Sequence, residues 1–191
     1  MSTLNIDFSK TALVIIDLQK GITKMFGGTQ EVVDQAARLV ELFRQKDGFI
    51  AFVKVAMHDG RDSLKPTTDQ PPRAMSSIPA DWAELAPEFR VTGQDYIVTK
   101  RQWGAFFGTD LDLQLRRRGI DTIVLCGVST NIGVEGTARE AYQHGYNQIF
   151  ITDAMAAASE EEHQSSCKYI FPRIGKLRTT EEFVAEVGSG E

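Results

Sequence analysis

The sequence is poor in cysteine, with two in 191 residues, Cys126 and Cys167, too few for a disulfide framework. Its first residues, "MSTLNIDFSK", contain no apolar stretch of the kind a signal peptide needs, and no apolar run approaches the ~20 residues that span a bilayer. A reducing, cytoplasmic setting without membrane partners is therefore expected. An excess of basic residues is also missing. The formal net charge is −5, which disfavours a general nucleic-acid surface. The one dense basic cluster, "LRRRG" at 115–119, stands where a helix should end, so its charges are read as helix-terminal rather than as a phosphate site. The loop "GVSTNIGVEGT" at 127–137 has no lysine followed by Ser/Thr after its glycines, so nucleotide binding through a P-loop is not expected.

What is present is ordinary globular composition, 42% hydrophobic and 25% charged, in a chain long enough for one domain over residues 1–191. At this size roughly 70% of the unfolded surface is removed from water on folding. Short β-branched runs recur at 11–17 (TALVIID), 48–57, 95–99, 121–127 (DTIVLCG) and 147–153, and they read as strands. Between them lie helix-period stretches at 29–48, 109–119, 131–145 and 159–174. Strands that are apolar on both faces and alternate with helices imply a mainly parallel sheet covered by helices on both sides. Residues 58–94, rich in Pro, Asp and Ser, break this rhythm and read as a lid, a binding loop or an interface arm; 188–191 form a tail.

Open sheets of this kind gather ligands at the carboxyl ends of their strands, and three strand ends here carry polar groups. The first ends in Asp17, which either caps the next turn or serves a site. The third ends in Lys100, followed by Trp103, Ala105, Phe106 and Phe107; the lysine is either simply solvated or walled by those apolar side chains. The fourth runs through Gly127 into a small-residue loop and then a helix near Asn131, whose first N–H groups could hold an anion or a developing oxyanion. Acid, lysine and helix start would meet at one edge, a combination suited to proton transfer and oxyanion stabilisation.

Cys126, inside an apolar strand, reads as a structural thiol, and Cys167 lies one helical turn from His163, close enough to touch it. The three histidines, at 58, 144 and 163, are scattered; His144 is explained by capping.

The ordered segments "ALVIIDLQ" (12–19), "VTKRQWGAFFGTDLD" (98–112), "VLCGVSTNIGVEGTAREAYQHGY" (124–146) and "ITDAMAAAS" (151–159) resemble the isochorismatase-like superfamily, which includes the cysteine hydrolases. The resemblance spans about residues 10–187. It implies a Rossmann-like three-layer α/β/α sandwich around a six-stranded, mainly parallel sheet, with a short sixth strand near 175–178. In amidases of that family an aspartate, a lysine and a cysteine act together. Asp17 and Lys100 match the first two, whereas the cysteine position falls on Gly133. The resemblance also implies a cis peptide at Val128–Ser129, aiming the Ser129 and Gly133 amides into a pocket lined by Gln19, Trp103, Phe106 and Asn131.

Isochorismatases of the family likewise lack the cysteine and use the aspartate as a general acid on an enolpyruvyl ether. The expectation is therefore a hydrolase acting on a small carboxylate or enol ether without a thiol intermediate, Asp17 being the general acid or base. Burial against Trp103 and Phe106 would raise its pKa, and Lys100 would lower it. Two alternatives stand beside this: an inactive small-molecule-binding or interaction member, and an amidase using another nucleophile. Where nicotinamidases carry metal ligands the sequence reads "MHDGRDSLKP", with His58 alone, so neither metal nor other cofactor is expected. The alanine and histidine that precede the glycine in isochorismatases are Thr130 and Asn131 here. A homodimer or larger homo-oligomer is expected, with 58–94 reaching a neighbouring subunit.

Overall fold

The computed structural model describes residues 4–25, 29–70 and 78–188. Its centre is a six-stranded sheet built from β1 (Thr11–Ile16), β2 (Phe49–Val55), β3 (Tyr96–Lys100), β4 (Thr122–Val128), β5 (Asn147–Ala156) and β6 (Lys176–Arg178). The strands lie in the order β3-β2-β1-β4-β5-β6, and every pairing is parallel. The helices are α1 (Lys20–Thr23), α2 (Thr29–Gln45), α3 (Leu111–Arg117), α4 (Glu135–Gln143), α5 (Glu160–Ser165), α6 (Phe171–Ile174) and α7 (Thr180–Gly188).

The reason for a covered sheet is visible in β1, which is buried at every position. Its alternate side chains enter different cores. Leu13 and Ile15 pack with Phe43 of α2 and Phe183 of α7, while Ala12, Val14 and Ile16 pack with Leu115 of α3, Ala138 of α4 and Phe171 of α6. Stacked rings tie each layer, Phe43 on Phe183 at 6.4 Å and Phe150 on Phe171 at 4.1 Å. The expected three-layer α/β/α sandwich is thus the fold observed.

Besides the expected helix at 131–145, which opens with a π-helical turn (Thr130–Val134), two further stretches differ from the sequence expectation. Residues 159–174 form α5, then a π-helical turn (Ser166–Ile170), then α6, instead of one continuous helix. Pro172 lies in this stretch, and a proline has no amide to continue a ladder begun upstream. The start of α5 is as expected, with Ser159 Oγ accepting from the Glu162 amide. The second difference is α7, a short acidic-headed helix not singled out by periodicity.

The connection 58–94 is fastened to the carboxyl edge. Lys20 pairs with Glu84 at 2.6 Å, Leu85 makes an isolated bridge with Gln19, and Arg101 pairs with Asp62 at 2.7 Å. Residues 71–77 of it lie outside the described residues, as does all of the expected tail but Gly188.

Order 3-2-1-4-5-6 places the switch of winding direction between β1 and β4. Ile16 and Gly127 are partners there. Gly127 has φ +121°, and a Cβ on it would run into the Ile16 carbonyl oxygen, so only glycine lets the two strands close at this point.

Candidate active site

Asp17 leaves the end of β1 in a left-handed conformation, φ +53°, which aspartate tolerates better than most residues. Its amide donates to the Val53 carbonyl of β2 at 2.9 Å, locking the turn against the neighbouring strand. The residue is only 7% exposed. Lys100 closes the outer strand β3 and reaches past β2 to place Nζ 2.8 Å from Asp17 Oδ2. A second Nζ bond goes to the Trp103 carbonyl at 2.6 Å, and the residue is 2% exposed. Acid and ammonium therefore meet, nearly shut off from bulk water.

The competition over the Asp17 pKa has an answer in this geometry. Burial dominates and pushes the carboxyl up to about 6, against the downward pull of the Lys100 charge and hydrogen bond. Oδ2 is engaged with Lys100, whereas Oδ1 is buried without a hydrogen-bond partner among the described residues. An orphaned buried carboxyl oxygen is costly unless a proton or a bound molecule satisfies it.

The third component follows β4. The Val128–Ser129 peptide is cis, and a π-helical turn (Thr130–Val134) then leads into α4. The Ile132 and Val134 amides both return to the Ser129 carbonyl, at 3.1 and 3.2 Å, and Thr137 Oγ1 donates to the Gly133 carbonyl at 2.7 Å. This winding brings Gly133 onto the ion pair. A Cβ at Gly133 would lie 3.1 Å from Asp17 Oδ2, 3.3 Å from Lys100 Nζ and 3.0 Å from Ile16 Cγ2. Even a methyl group here would press on both charged groups, so the absent side chain lets the turn's backbone approach the ion pair closely.

Other expected site residues fall differently. Asn131 is on the turn, where its Oδ1 accepts from Ser129 Oγ at 2.7 Å. Gln19 is fully buried and its amide is committed to backbone: Nε2 donates to Val55 at 3.0 Å and Trp82 at 3.2 Å, and Oε1 accepts from the Val55 amide at 2.8 Å. It braces the end of β2 instead of facing a ligand. Trp103 was expected to wall the pocket, but its side chain is turned outward and the residue is 66% exposed; what it offers the ion pair is its carbonyl. Phe106 is buried, yet among His144 and Tyr146, with ring centroids 5.2 and 5.6 Å away. Glu140 holds that loop by accepting from the Phe106 amide at 2.8 Å. The apolar surroundings of Asp17 accordingly come from the closely packed strand ends, such as Ile16, and not from those two rings.

Both cysteine thiols are suppressed. Burial, with Asp153 adding to it, raises the Cys126 pKa; burial, with Glu160 adding to it, pushes Cys167 up to about 11. Cys167 Sγ does touch His163 Nε2, at 3.5 Å. Sequence reading found no histidine for the hydroxyls near Gly133, but the structure supplies one: His163 Nδ1 lies 2.9 Å from Thr130 Oγ1. Thr130 is fully buried, so this hydroxyl is not presented to a substrate. In the basic cluster, Arg116 pairs with Asp112 at 3.2 Å and lies over the Tyr146 ring, and Arg118 lies over Phe49.

Fold and site together define a Rossmann-like α/β sandwich whose buried acid–ammonium pair sits at the switch point of the sheet. Comparison with known proteins gives the same class a narrower meaning. The isochorismatase domain model matches residues 11–182. An uncharacterised isochorismatase family protein of Bacillus subtilis, YwoC, is 68% identical over 188 residues, covering 98% of this chain and 99% of that one. A probable isochorismatase of Pseudomonas chlororaphis is 27% identical over 182 residues, covering 94% and 87%. The structure of an isochorismatase family protein from Burkholderia thailandensis superposes with a TM-score of 0.91 at 41% identity, covering 98% of this chain and all of that one. The chain belongs to the isochorismatase family, whose members are hydrolases.

Proposed function

We propose that this protein is a hydrolase that works by proton transfer without a covalent enzyme intermediate, on a small carboxylate bearing an enol ether. The observation that carries the reading is the Asp17 carboxyl: buried, with a pKa pushed up to about 6, bonded to Lys100 through one oxygen, and with the other oxygen lacking a partner among the described residues. A carboxyl whose pKa is raised towards neutrality can serve as a general acid. A nucleophilic route has no support here, because Gly133 offers no nucleophile and the two thiols are held protonated.

In this reading Asp17 transfers its proton to the terminal methylene of an enolpyruvyl ether. The double-bond electron pair forms the new C–H bond and leaves an oxocarbenium ion. Water adds to that cation and returns a proton to the Asp17 carboxylate. The hemiketal then collapses to pyruvate and an alcohol. Lys100, already bonded to Asp17 and the Trp103 carbonyl, has a third proton with which to hold a substrate oxygen. The Ser129 and Gly133 amides serve as further donors. The probable isochorismatase among its relatives is consistent with this substrate class.

The reading extends to self-association. Trp103, Phe107 and Leu64, exposed by 66%, 75% and 67%, line one cleft next to the site and are the side chains a second copy would cover.

The test is a panel of enol ethers, amides and nicotinamide. Pyruvate release that vanishes in Asp17→Ala is the expected result. Ammonia release from amides would replace this reading with an amidase, and tight ligand binding without turnover would replace it with a binding protein.

A further inference from the structure

The turn that carries Gly133 is tied to a distant part of the chain. Thr130, its first residue, is fully buried and meets His163 Nδ1 at 2.9 Å; the opposite ring nitrogen meets Cys167 Sγ at 3.5 Å. Three residues beyond His163, Ser166 Oγ donates to Glu135 Oε2 at 2.6 Å, at the start of α4. By contrast, the Ile132, Val134, Ser129 and Thr137 bonds described above close within residues 129–137. The segment α5 and its following π-helical turn thus grip the site loop from outside at two points.

We propose that His163 is a positioning residue: clasped between Thr130 and Cys167, its neutral imidazole sets where the turn places Gly133 relative to Asp17 and Lys100. The proposal rests on the acid site argued above and adds to it a residue that touches no substrate. Neutral imidazole has one donor and one acceptor. A hydroxyl and a thiol can each take either role, so both tautomers satisfy both neighbours. An imidazolium would present two donors, leaving the thiol only its weak acceptor role. Burial lowers the His163 pKa below its usual value, with the nearby Glu160 opposing. The other charged groups sharing its cleft are Asp153, Lys168, Arg178 and Glu182; Asp153 is occupied by Thr180, and Arg178 by Glu186. Placement matters because the space at Gly133 is bounded at 3.0–3.3 Å on three sides. Misplacing reacting groups by about 1 Å costs on the order of a hundredfold in rate.

The test follows the ligand-free protein by ¹H–¹⁵N NMR while the pH is lowered through the His163 titration. The Thr130–Gly133 amides are expected to shift with the midpoint of the His163 ring protons, below 6.5. That component should disappear in His163→Gln and in Thr130→Val, which keeps the volume and removes the hydroxyl. A shift due to Asp17 persists in both variants and is separated in that way. In the enol-ether assay His163→Ala should lose about tenfold to a hundredfold in kcat with KM nearly unchanged, and His163→Gln should recover part of the loss. Amides that ignore the His163 titration, or that follow it undiminished in Thr130→Val, overturn the proposal. If Thr130→Val does not fold, Cys167→Ala and His163→Gln carry the same spectral comparison. If no substrate is turned over, the functional reading fails while the spectra still decide this one.

Discussion

Lys100 Nζ lies 2.8 Å from Asp17 Oδ2, two strands away from the residue it serves. The pair is held from opposite directions. β1 delivers the acid through a left-handed turn, and β3 delivers the ammonium through a long side chain anchored at its tip by the Trp103 carbonyl.

The pH dependence of turnover follows from the protonated acid. With Asp17 near 6, kcat/KM is expected to be level at low pH and to fall tenfold per unit above about 6. The group holds its proton more tightly folded than unfolded, where its pKa is 3.8, so its contribution to stability declines as pH rises from about 4 to about 6. Pyruvate release across pH 5–8 checks the first statement; a profile that rises with pH would make Asp17 a base.

Lys100→Met removes the charge that restrains the Asp17 pKa. The descending limb of the pH profile should move above 6, while the maximal rate falls by at least tenfold because a substrate-holding donor is lost. A pH–rate comparison at saturating substrate separates the two effects.

Gly133→Ala places a methyl group against the ion pair. The protein should fold with a modest loss of stability, about 1–3 kcal/mol for overpacking, and lose most of its activity. Gly133→Cys should create a thiol beside an ammonium group that alkylates before Cys126 and Cys167, whose pKa values are raised. Mass-spectrometric mapping of iodoacetamide labelling at pH 7 reads this directly.

Gln19→Leu removes the partner of the Val55 amide and one donor each from the Val55 and Trp82 carbonyls. The expected cost is on the order of 3 kcal/mol. At roughly 2–4 °C per kcal/mol for a chain of this size, the loss should be plain in thermal denaturation. A full-stability variant with altered KM would instead make Gln19 a ligand contact.

Trp103→Ser trims the exposed ring and keeps the carbonyl that Lys100 uses. Sedimentation should show weaker assembly, with the Asp17 pH profile unchanged. Unaltered size at micromolar concentration would assign the exposed rings to something other than self-association.

The strands were legible because β-branched residues buried on both faces leave little ambiguity, as in β1 and β4. Asp17 and Lys100 were legible as polar groups closing apolar runs, and Gly133 through the segment around it. The orientations of Trp103 and Phe106 were not, since they sit in an irregular loop with no period to assign a face. Glu140, 34 residues beyond Phe106 in sequence, fixes that loop. The bond between Thr130 and His163, 33 residues apart, likewise has no local signature. Pro172 was the available sign that the helix across 159–174 would be interrupted.

Gly127 packs against the Ile16 carbonyl with no room for even a methyl group. The crest of the sheet is therefore closed at backbone contact where the chain turns off towards the acid. The neighbouring rim is held differently, by ion pairs of Asp62 with Arg101 and of Glu84 with Lys20. Those rim pairs lie at the surface and weaken with salt, whereas the join between β1 and β4 rests on backbone packing that salt leaves alone.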